Sequence, residues 1–282
     1  MTHANALSGG RELTAAEAGR LMEALTAVVA RASAATLATH FSQVERRTKD
    51  DLSPVTAADE LSEAAILEGL ARLLPGVPVI SEESVERAPK LAGPSVIIVD
   101  PLDGTKEFLA GRDEFTVNVG IVTHGVPVAG IIAAPAQGLL WRGAVGVGAE
   151  RLRLNLSGDA PSAGDAQAIR TRPAAAPLVV ATSRSHLDPQ SQAFLARLGP
   201  VTQYPCGSSV KFCQVAQGAA DLYPRLAPTR EWDIAAGCAI LAAAGGKVTN
   251  PAGQALQFGQ ADKGFLVPGF IAWGDPERAA AA

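Results

Sequence analysis

The run Asp100-Pro101-Leu102-Asp103-Gly104-Thr105 follows directly on the β-branched stretch Ile97-Ile98-Val99. Read as a strand that ends in a turn, it places Asp100 at the end of a buried strand, with a second carboxylate three residues on and a Gly-Thr pair after it. A carboxylate in that position is costly to desolvate unless something neutralises it. Further acidic residues share this kind of placement. Glu82 and Glu83 follow the short strand-like stretch ending at Ile80. Asp233 stands between Trp232 and an apolar stretch beginning at Ile234, and Asp59 lies in the first turn of a helix that Thr56 can cap.

Taken singly, each of these is a turn, a solvated loop or a helix cap. Their joint occurrence, in this order, points to several carboxylates converging on a hard cation, because oxygen ligands of this kind hold Mg2+. Mg2+ keeps open positions that water and phosphate oxygens can take. A glycine-led turn opening a helix directs backbone N–H groups at an anion, so Gly104 and Thr105 can hold a phosphate beside the metal.

The chain of 282 residues can form one large domain or two ordinary ones, and 48% hydrophobic with 18% charged residues marks a globular protein. The formal net charge is -4 and no run of Lys or Arg could track a nucleic-acid backbone, which argues against polymeric DNA or RNA as a partner. Cys206, Cys213 and Cys238 lack metal-ligand spacing and read as small buried hydrophobes in a reducing compartment. The N-terminus lacks a signal-peptide pattern, and no apolar run reaches the ~20 residues that cross a bilayer. A cytoplasmic protein without a transmembrane segment is expected, peripheral attachment at the inner membrane being compatible with it, as a monomer or homodimer.

Helical periodicity predicts a long amphipathic helix from Leu13 to about Phe41, and a second after Thr56 that buries Leu61, Ile66, Leu70 and Leu73 until Pro75-Gly76 stops it. Strands are predicted at Val77 to Ile80, Ser95 to Val99, Phe115 to Val122, Val126 to Ala133 and Leu139 to Gly143, with a hairpin turn at His124-Gly125. The region from Gly146 to Pro177 is rich in Gly, Pro, Ala and Ser and is the candidate boundary between two halves, residues 13–150 and 151–275. Strands at Leu178 to Thr182, Val201 to Tyr204, Ala220 to Tyr223, Lys247 to Thr249 and Phe265 to Val267 follow. Helices at Pro189 to Leu198, Ser208 to Gln217 and Ile234 to Ala244 are interleaved with them. The pattern is a layered α+β or α/β protein with two sheet-containing halves.

Three blocks, Val77-Pro-Val-Ile-Ser-Glu-Glu-Ser84, Asp100 to Thr105 and Glu231-Trp-Asp-Ile-Ala-Ala-Gly237, with Asp59 at the end of Pro54-Val-Thr-Ala-Ala-Asp59, resemble the inositol monophosphatase superfamily of Li+-sensitive, Mg2+-dependent phosphatases. In finer detail, Lys49 to Thr56, Lys106-Glu107-Phe108, Glu114 to Asn118, Ser183-Arg-Ser-His186, Gly207 to Cys213 and Ala220 to Arg225 are similar to the bacterial 3'(2'),5'-bisphosphate nucleotidases of the CysQ type.

The resemblance implies a layered α-β-α-β-α sandwich of the sugar-phosphatase type. It implies a small phosphorylated nucleotide as substrate: 3'-phosphoadenosine 5'-phosphate, the by-product of sulfate assimilation, hydrolysed to AMP and phosphate. It implies two or three Mg2+ ions per site, held by Glu82, Asp100, the Leu102 carbonyl, Asp103 and Asp233, with Asp59 and Thr105 orienting and deprotonating the attacking water. Gly104, Thr105 and Lys106, with His186, Ser208, Lys211 and Arg225, would bind substrate, Lys211 and Arg225 meeting a second anionic group. The same metal ligands would serve a phosphatase for inositol phosphate, fructose bisphosphate or histidinol phosphate. A non-catalytic regulator of this fold would be expected to lack one of them.

Overall fold

A computed structural model of the chain describes residues 10–39, 46–48, 54–87, 91, 93–158, 160–184 and 187–281. The first layer is a helix pair, α1 (Ala15–Ala38) and α2 (Ala57–Leu73), joined through a short antiparallel ladder of β1 (Arg46–Thr48) and β2 (Pro54–Thr56). Both helices start on the same device. Thr14 accepts from the Glu17 N–H while Glu17 accepts from the Thr14 N–H, and Thr56 and Asp59 repeat the exchange at α2. By length and composition α1 could cross a membrane, yet Leu25, Val29 and Ala32 are packed into the core against the sheet.

The second layer is a seven-stranded sheet in the order β3 (Val79–Ser81), β4 (Ser95–Asp103), β5 (Thr116–Thr123), β6 (Val126–Ala134), β7 (Leu139–Ala144), β8 (Gly148–Asn155), β9 (Ser162–Ile169). Only β3 and β4 run parallel. Alternate residues of β4 go to opposite faces: Ile97 and Val99 join the core beneath α1 and α2, while Val96 and Ile98 join the core on the other side. A strand covered on both faces loses the polar half of its alternation, hence the unbroken Ile-Ile-Val run. After β4 comes the single turn and a half of α3 (Thr105–Leu109).

The third layer holds α5 (Val210–Ala216) and α6 (Glu231–Ala243), and the fourth is a five-stranded sheet. Its order is β11 (Val201–Cys206), β10 (Leu178–Ser183), β12 (Leu222–Arg225), β16 (Phe270–Trp273), β14 (Lys247–Thr249). A two-residue ladder pairs β13 (Thr229–Arg230) with β15 (Leu266–Val267). The last layer is α4 (Pro189–Arg197) with α7 (Pro276–Ala281), whose Leu195 and Ala279 pack with Leu222, Ile271 and Trp273. The result is the layered α-β-α-β-α sandwich.

Close packing of α6 on the first sheet fixes where its N-terminus lies. Gly120, Gly130 and Gly143 are lateral neighbours across β5, β6 and β7 and form a groove with no side chains. A Cβ on Gly130 would meet the Ala236 carbonyl oxygen at 2.3 Å, and one on Gly120 would meet the Ala236 nitrogen at 2.9 Å. On the far side of α6, Gly237 admits the Phe212 ring, which stacks with Phe270 and meets Tyr223 edge-on. Residues of both sheets thus share one core around α6.

Three expectations change. Leu61 is 51% exposed; the buried row of α2 is Ala58, Ser62, Ile66, Leu70 and the following Leu74, one residue out of phase with Leu61. The region expected as a boundary contains β8 and β9, which extend the first sheet to Ile169, so the change of sheet falls at residues 170–177. The strand β16, inside the second sheet, was not anticipated from the sequence.

Candidate active site

Three elements converge at the carboxylates. Because β3 runs parallel to β4 with Ser81 opposite Val99, the residues that follow each, Glu82 and Asp100, come to neighbouring positions. Residues three apart on a strand normally point to opposite faces, but β4 is bulged between Asp100, paired with Asn118, and Asp103, paired with Thr116. The extra residue turns both carboxylates to the same side, and Asp103 and Glu82 each bear electrostatically on Asp100. The bulge is pinned from α2, where the Ser62 hydroxyl donates to the Pro101 carbonyl at 2.7 Å.

One turn before Ser62, Asp59 is 1% exposed and accepts from the Thr56 N–H (2.8 Å) and hydroxyl (2.6 Å). The Thr105 hydroxyl lies 3.3 Å from Asp59 Oδ1 and 3.2 Å from the Leu102 carbonyl oxygen, so it can donate to either. Asp233, in the first turn of α6, accepts from the Thr229 hydroxyl and from the Arg230 N–H.

Four neighbouring carboxylates, with Asp100 fully buried among them, repel one another. Burial above all, then the charges of Glu82, Asp103 and Asp233, push the Asp100 carboxyl well above the usual aspartate range. Burial and then Asp103 push Asp233 up to about 6, against the hydrogen bond from Thr229 and the charge of Arg225. Burial works against the Arg225 guanidinium, but Tyr223, Asp233 and Asp103 together raise its pKa.

This donor set is entirely oxygen, and the buried Asn118 Oδ1 and Ser81 Oγ nearby have no hydrogen-bond partner among the described residues. A hard divalent cation fits such a set. Among the described residues no three His, Cys, Asp or Glu side chains stand grouped as metal ligands, so the carboxylates are neighbours around Asp100 rather than an assembled ligand set.

A cavity of about 780 Å³ opens beside Asp103 and Asp233, large enough for a nucleotide. Gly104, Lys106, Ser208, Lys211 and Arg225 share its wall. Gly104 begins α3 in the left-handed conformation (φ 93°), with no side chain capping the first N–H groups of the helix. Lys106 is exposed at the wall, whereas Lys211 is buried, 5.2 Å above the Tyr223 ring, and donates to the Ser208 carbonyl at 2.7 Å. The Ser208 hydroxyl is turned to the backbone, 2.8 Å from the Glu114 carbonyl oxygen and 3.0 Å from that of Asp103. His186 lies outside the described residues.

Some contributors were not singled out from sequence. Ser209 donates its N–H to Asp103 Oδ2 at 2.7 Å, and its hydroxyl contacts Asp103, Asp233 and Asn118. Glu114 forms a two-pronged ion pair with Arg184, which also donates to the Pro205 carbonyl and so fastens the Pro205–Ser208 loop beside α3. Arg184 is therefore a clamp. Both Ser209 and Glu114 sit inside the blocks that carry the resemblance, but which member of Ser208-Ser209 faces the carboxylates is decided by backbone geometry that spacing does not encode.

Comparisons with known proteins give the family of the chain. A match to the inositol monophosphatase family covers residues 15–280. The chain is 42% identical over 223 residues, 79% of this chain and 86% of the relative, to the 3'(2'),5'-bisphosphate nucleotidase CysQ of Escherichia coli (strain K12). It is 37% identical over 226 residues to the protein of that description from Buchnera aphidicola, 79% and 82% of the two chains. Among solved structures, a CysQ from Bacteroides thetaiotaomicron superposes with a TM-score of 0.75 at 34% identity, covering 90% of this chain and 97% of that one. An inositol monophosphatase from Thermotoga maritima, at 23% identity and a TM-score of 0.73 over 93% and 96% of the chains, shares the fold. With the family match spanning nearly its whole length, this chain belongs to the inositol monophosphatase family and is a phosphatase.

Proposed function

We propose that the protein is a Mg2+-dependent phosphomonoester hydrolase that removes the 3'-phosphate of 3'-phosphoadenosine 5'-phosphate, giving AMP and phosphate. The observation that carries the reading is the juxtaposition of the Asp100-centred carboxylates with a nucleotide-sized cavity whose wall bears three cations, Lys106, Lys211 and Arg225. A substrate with one phosphate needs compensation only from the cation that the carboxylates would hold; a second phosphate has use for basic groups further along the wall. The 42% identity to a protein described as a bisphosphate nucleotidase supports this choice.

Glu82, Asp100, the Leu102 carbonyl, Asp103 and Asp233 would hold Mg2+. When bound, the ion supplies Lewis-acid stabilisation of the phosphate and the departing ribose oxygen, and acidifies water in the site. The chain's own groups do the rest. The uncapped N–H groups of Gly104 and Thr105 hold phosphate oxygens. Thr105, donating its hydrogen to Asp59, presents its oxygen lone pairs to the attacking water and orients it, and Asp59 is the terminal proton acceptor. Thr56 fixes Asp59 through two hydrogen bonds to Oδ2, which leaves Oδ1 for Thr105. Residues 13–150 would thus contribute most of the metal and water machinery, and residues 151–275 Asp233 and the substrate wall, in a cytoplasmic enzyme.

The test is phosphate release from 3'-phosphoadenosine 5'-phosphate, inositol 1-phosphate, fructose 1,6-bisphosphate and histidinol phosphate, each with Mg2+ and with EDTA. The reading expects Mg2+-dependent turnover with the nucleotide preferred by at least about tenfold in kcat/KM. Preference for inositol phosphate or another sugar phosphate would overturn the substrate, and turnover in EDTA would overturn the metal.

A further inference from the structure

We propose that Ser209 is a positioning residue that locks the two carboxylate-bearing elements, β4 and α6, in register, and that Asn118 sets the direction of its hydroxyl. This rests on the divalent-cation reading of the site. Asp103 and Asp233 belong to elements far apart in the chain, and no strand pairing or covalent link holds one against the other. Ser209, at the start of α5, touches both. Its N–H donates to Asp103 Oδ2 at 2.7 Å. Its hydroxyl stands 3.0 Å from the same oxygen and 2.7 Å from the Asp233 carbonyl oxygen, and can give its one hydrogen to either.

The direction of that hydrogen depends on Asn118. Asn118 Nδ2 donates to Ser209 Oγ at 3.0 Å, so the serine oxygen acts there as an acceptor and its hydrogen is directed at Asp103 or Asp233. The reverse amide orientation would draw the hydrogen away from both. Asn118 is 1% exposed and lies opposite Asp100 on the neighbouring strand, and its Oδ1 has no partner among the described residues. Burying an amide oxygen unpaired is unfavourable. Ser209 is itself 3% exposed at the edge of the cavity, and it acts through the Asp103 carboxylate and the Asp233 main chain that it holds. Outer groups of this kind shift metal affinity by about 10–100-fold.

The experiment is isothermal titration of Mg2+ into metal-stripped wild type, Ser209→Ala, Ser209→Thr and Asn118→Ala, below the melting temperature that each shows in EDTA. The proposal expects Mg2+ affinity about tenfold weaker in Ser209→Ala, largely restored in Ser209→Thr, and about three- to tenfold weaker in Asn118→Ala. In steady state the Mg2+ concentration for half-maximal rate should rise in parallel, while substrate KM at saturating Mg2+ moves less than about twofold. If wild type binds Mg2+ and Ser209→Ala binds it within about twofold of wild type, the positioning role is overturned while the functional reading stands. If wild type binds no Mg2+, the functional reading falls and takes the proposal with it. If Ser209→Ala does not fold, Asn118→Ala decides, since it leaves the serine in place: unchanged affinity there overturns the proposal.

Discussion

Gly130 on β6 lies so close to Ala236 on α6 that a Cβ on the glycine would stand 2.3 Å from the alanine carbonyl oxygen. That contact sets the height of α6 over the first sheet, and Asp233 is one turn before Ala236. Gly130→Ala must therefore lift or tilt the helix that delivers a carboxylate to the site. Overpacking of this kind costs about 1–3 kcal/mol. Urea unfolding should show that loss, and Mg2+-dependent phosphate release should fall at least about tenfold, because the reacting geometry tolerates less displacement than the fold does. Unchanged release would mean that the helix position is not what places Asp233.

The raised carboxyls make metal-free stability depend on pH in a defined direction. Asp100 and Asp233 hold their protons to higher pH in the folded chain than they would unfolded, Asp233 to about 6. The folded state then binds more protons, so stability falls as pH rises from about 4 through 6. In EDTA, melting temperature should be higher at pH 5 than at pH 7. Mg2+ should reverse the order, since it binds the ionised carboxylates, and should release protons as it binds. Calorimetric melting at the two pH values, with and without Mg2+, tests this; a metal-free melting temperature that is the same at both would count against the crowded carboxylates.

Asp221 behaves in the opposite sense. Burial opposes its charge, but Arg172, the Val179 N–H and the Ala175 N–H outweigh that and lower its pKa. Its stabilisation is present above the unfolded value near 4 and lost as pH falls through the lower folded value. Asp221→Ala leaves a buried Val179 N–H and an Arg172 guanidinium unpaired, and should cost about 2–4 kcal/mol at pH 7. The gap from wild type should narrow below about pH 4. Chemical denaturation at pH 7 and pH 3.5 measures both.

The substrate wall makes its own claim. Lys211→Ala and Arg225→Ala should each lower kcat/KM on 3'-phosphoadenosine 5'-phosphate by at least about tenfold, as expected for a lost charged contact of about 1.5–3 kcal/mol. The effect on a monophosphate substrate should be several-fold smaller. Lys211 also anchors the Ser208 carbonyl, so its effect must be read on folded protein. Equal losses on both substrates would remove these residues from the second phosphate.

Much of this was legible in the sequence because it is local. The Thr56–Asp59 exchange at α2, the carboxylates closing β4 and the acidic start of α6 all carry signals within a few residues. The misses have non-local causes. β9 is an edge strand whose residues are mostly exposed, so Ser162–Ile169 has no apolar alternation to announce it. β16 follows Pro268-Gly269 directly and reads as the tail of a loop until β12 and β14 flank it. Ser208 and Ser209 differ by one residue and by a backbone φ of 46° at Ser208, which turns one hydroxyl to carbonyls and leaves the other on the Asp103 carboxylate.

The most direct measurement is phosphate release from 3'-phosphoadenosine 5'-phosphate by wild type and Asp100→Asn across one Mg2+ titration that starts in EDTA. Asp100 is the carboxylate on which Glu82, Asp103 and Asp233 all bear. Wild type should be silent in EDTA and activated by Mg2+, and Asp100→Asn should be slower by at least about 10³-fold at every Mg2+ concentration, the scale of a lost metal contribution of several kcal/mol. Release by wild type in EDTA, or an Asp100→Asn rate close to wild type, would contradict a site built around that residue.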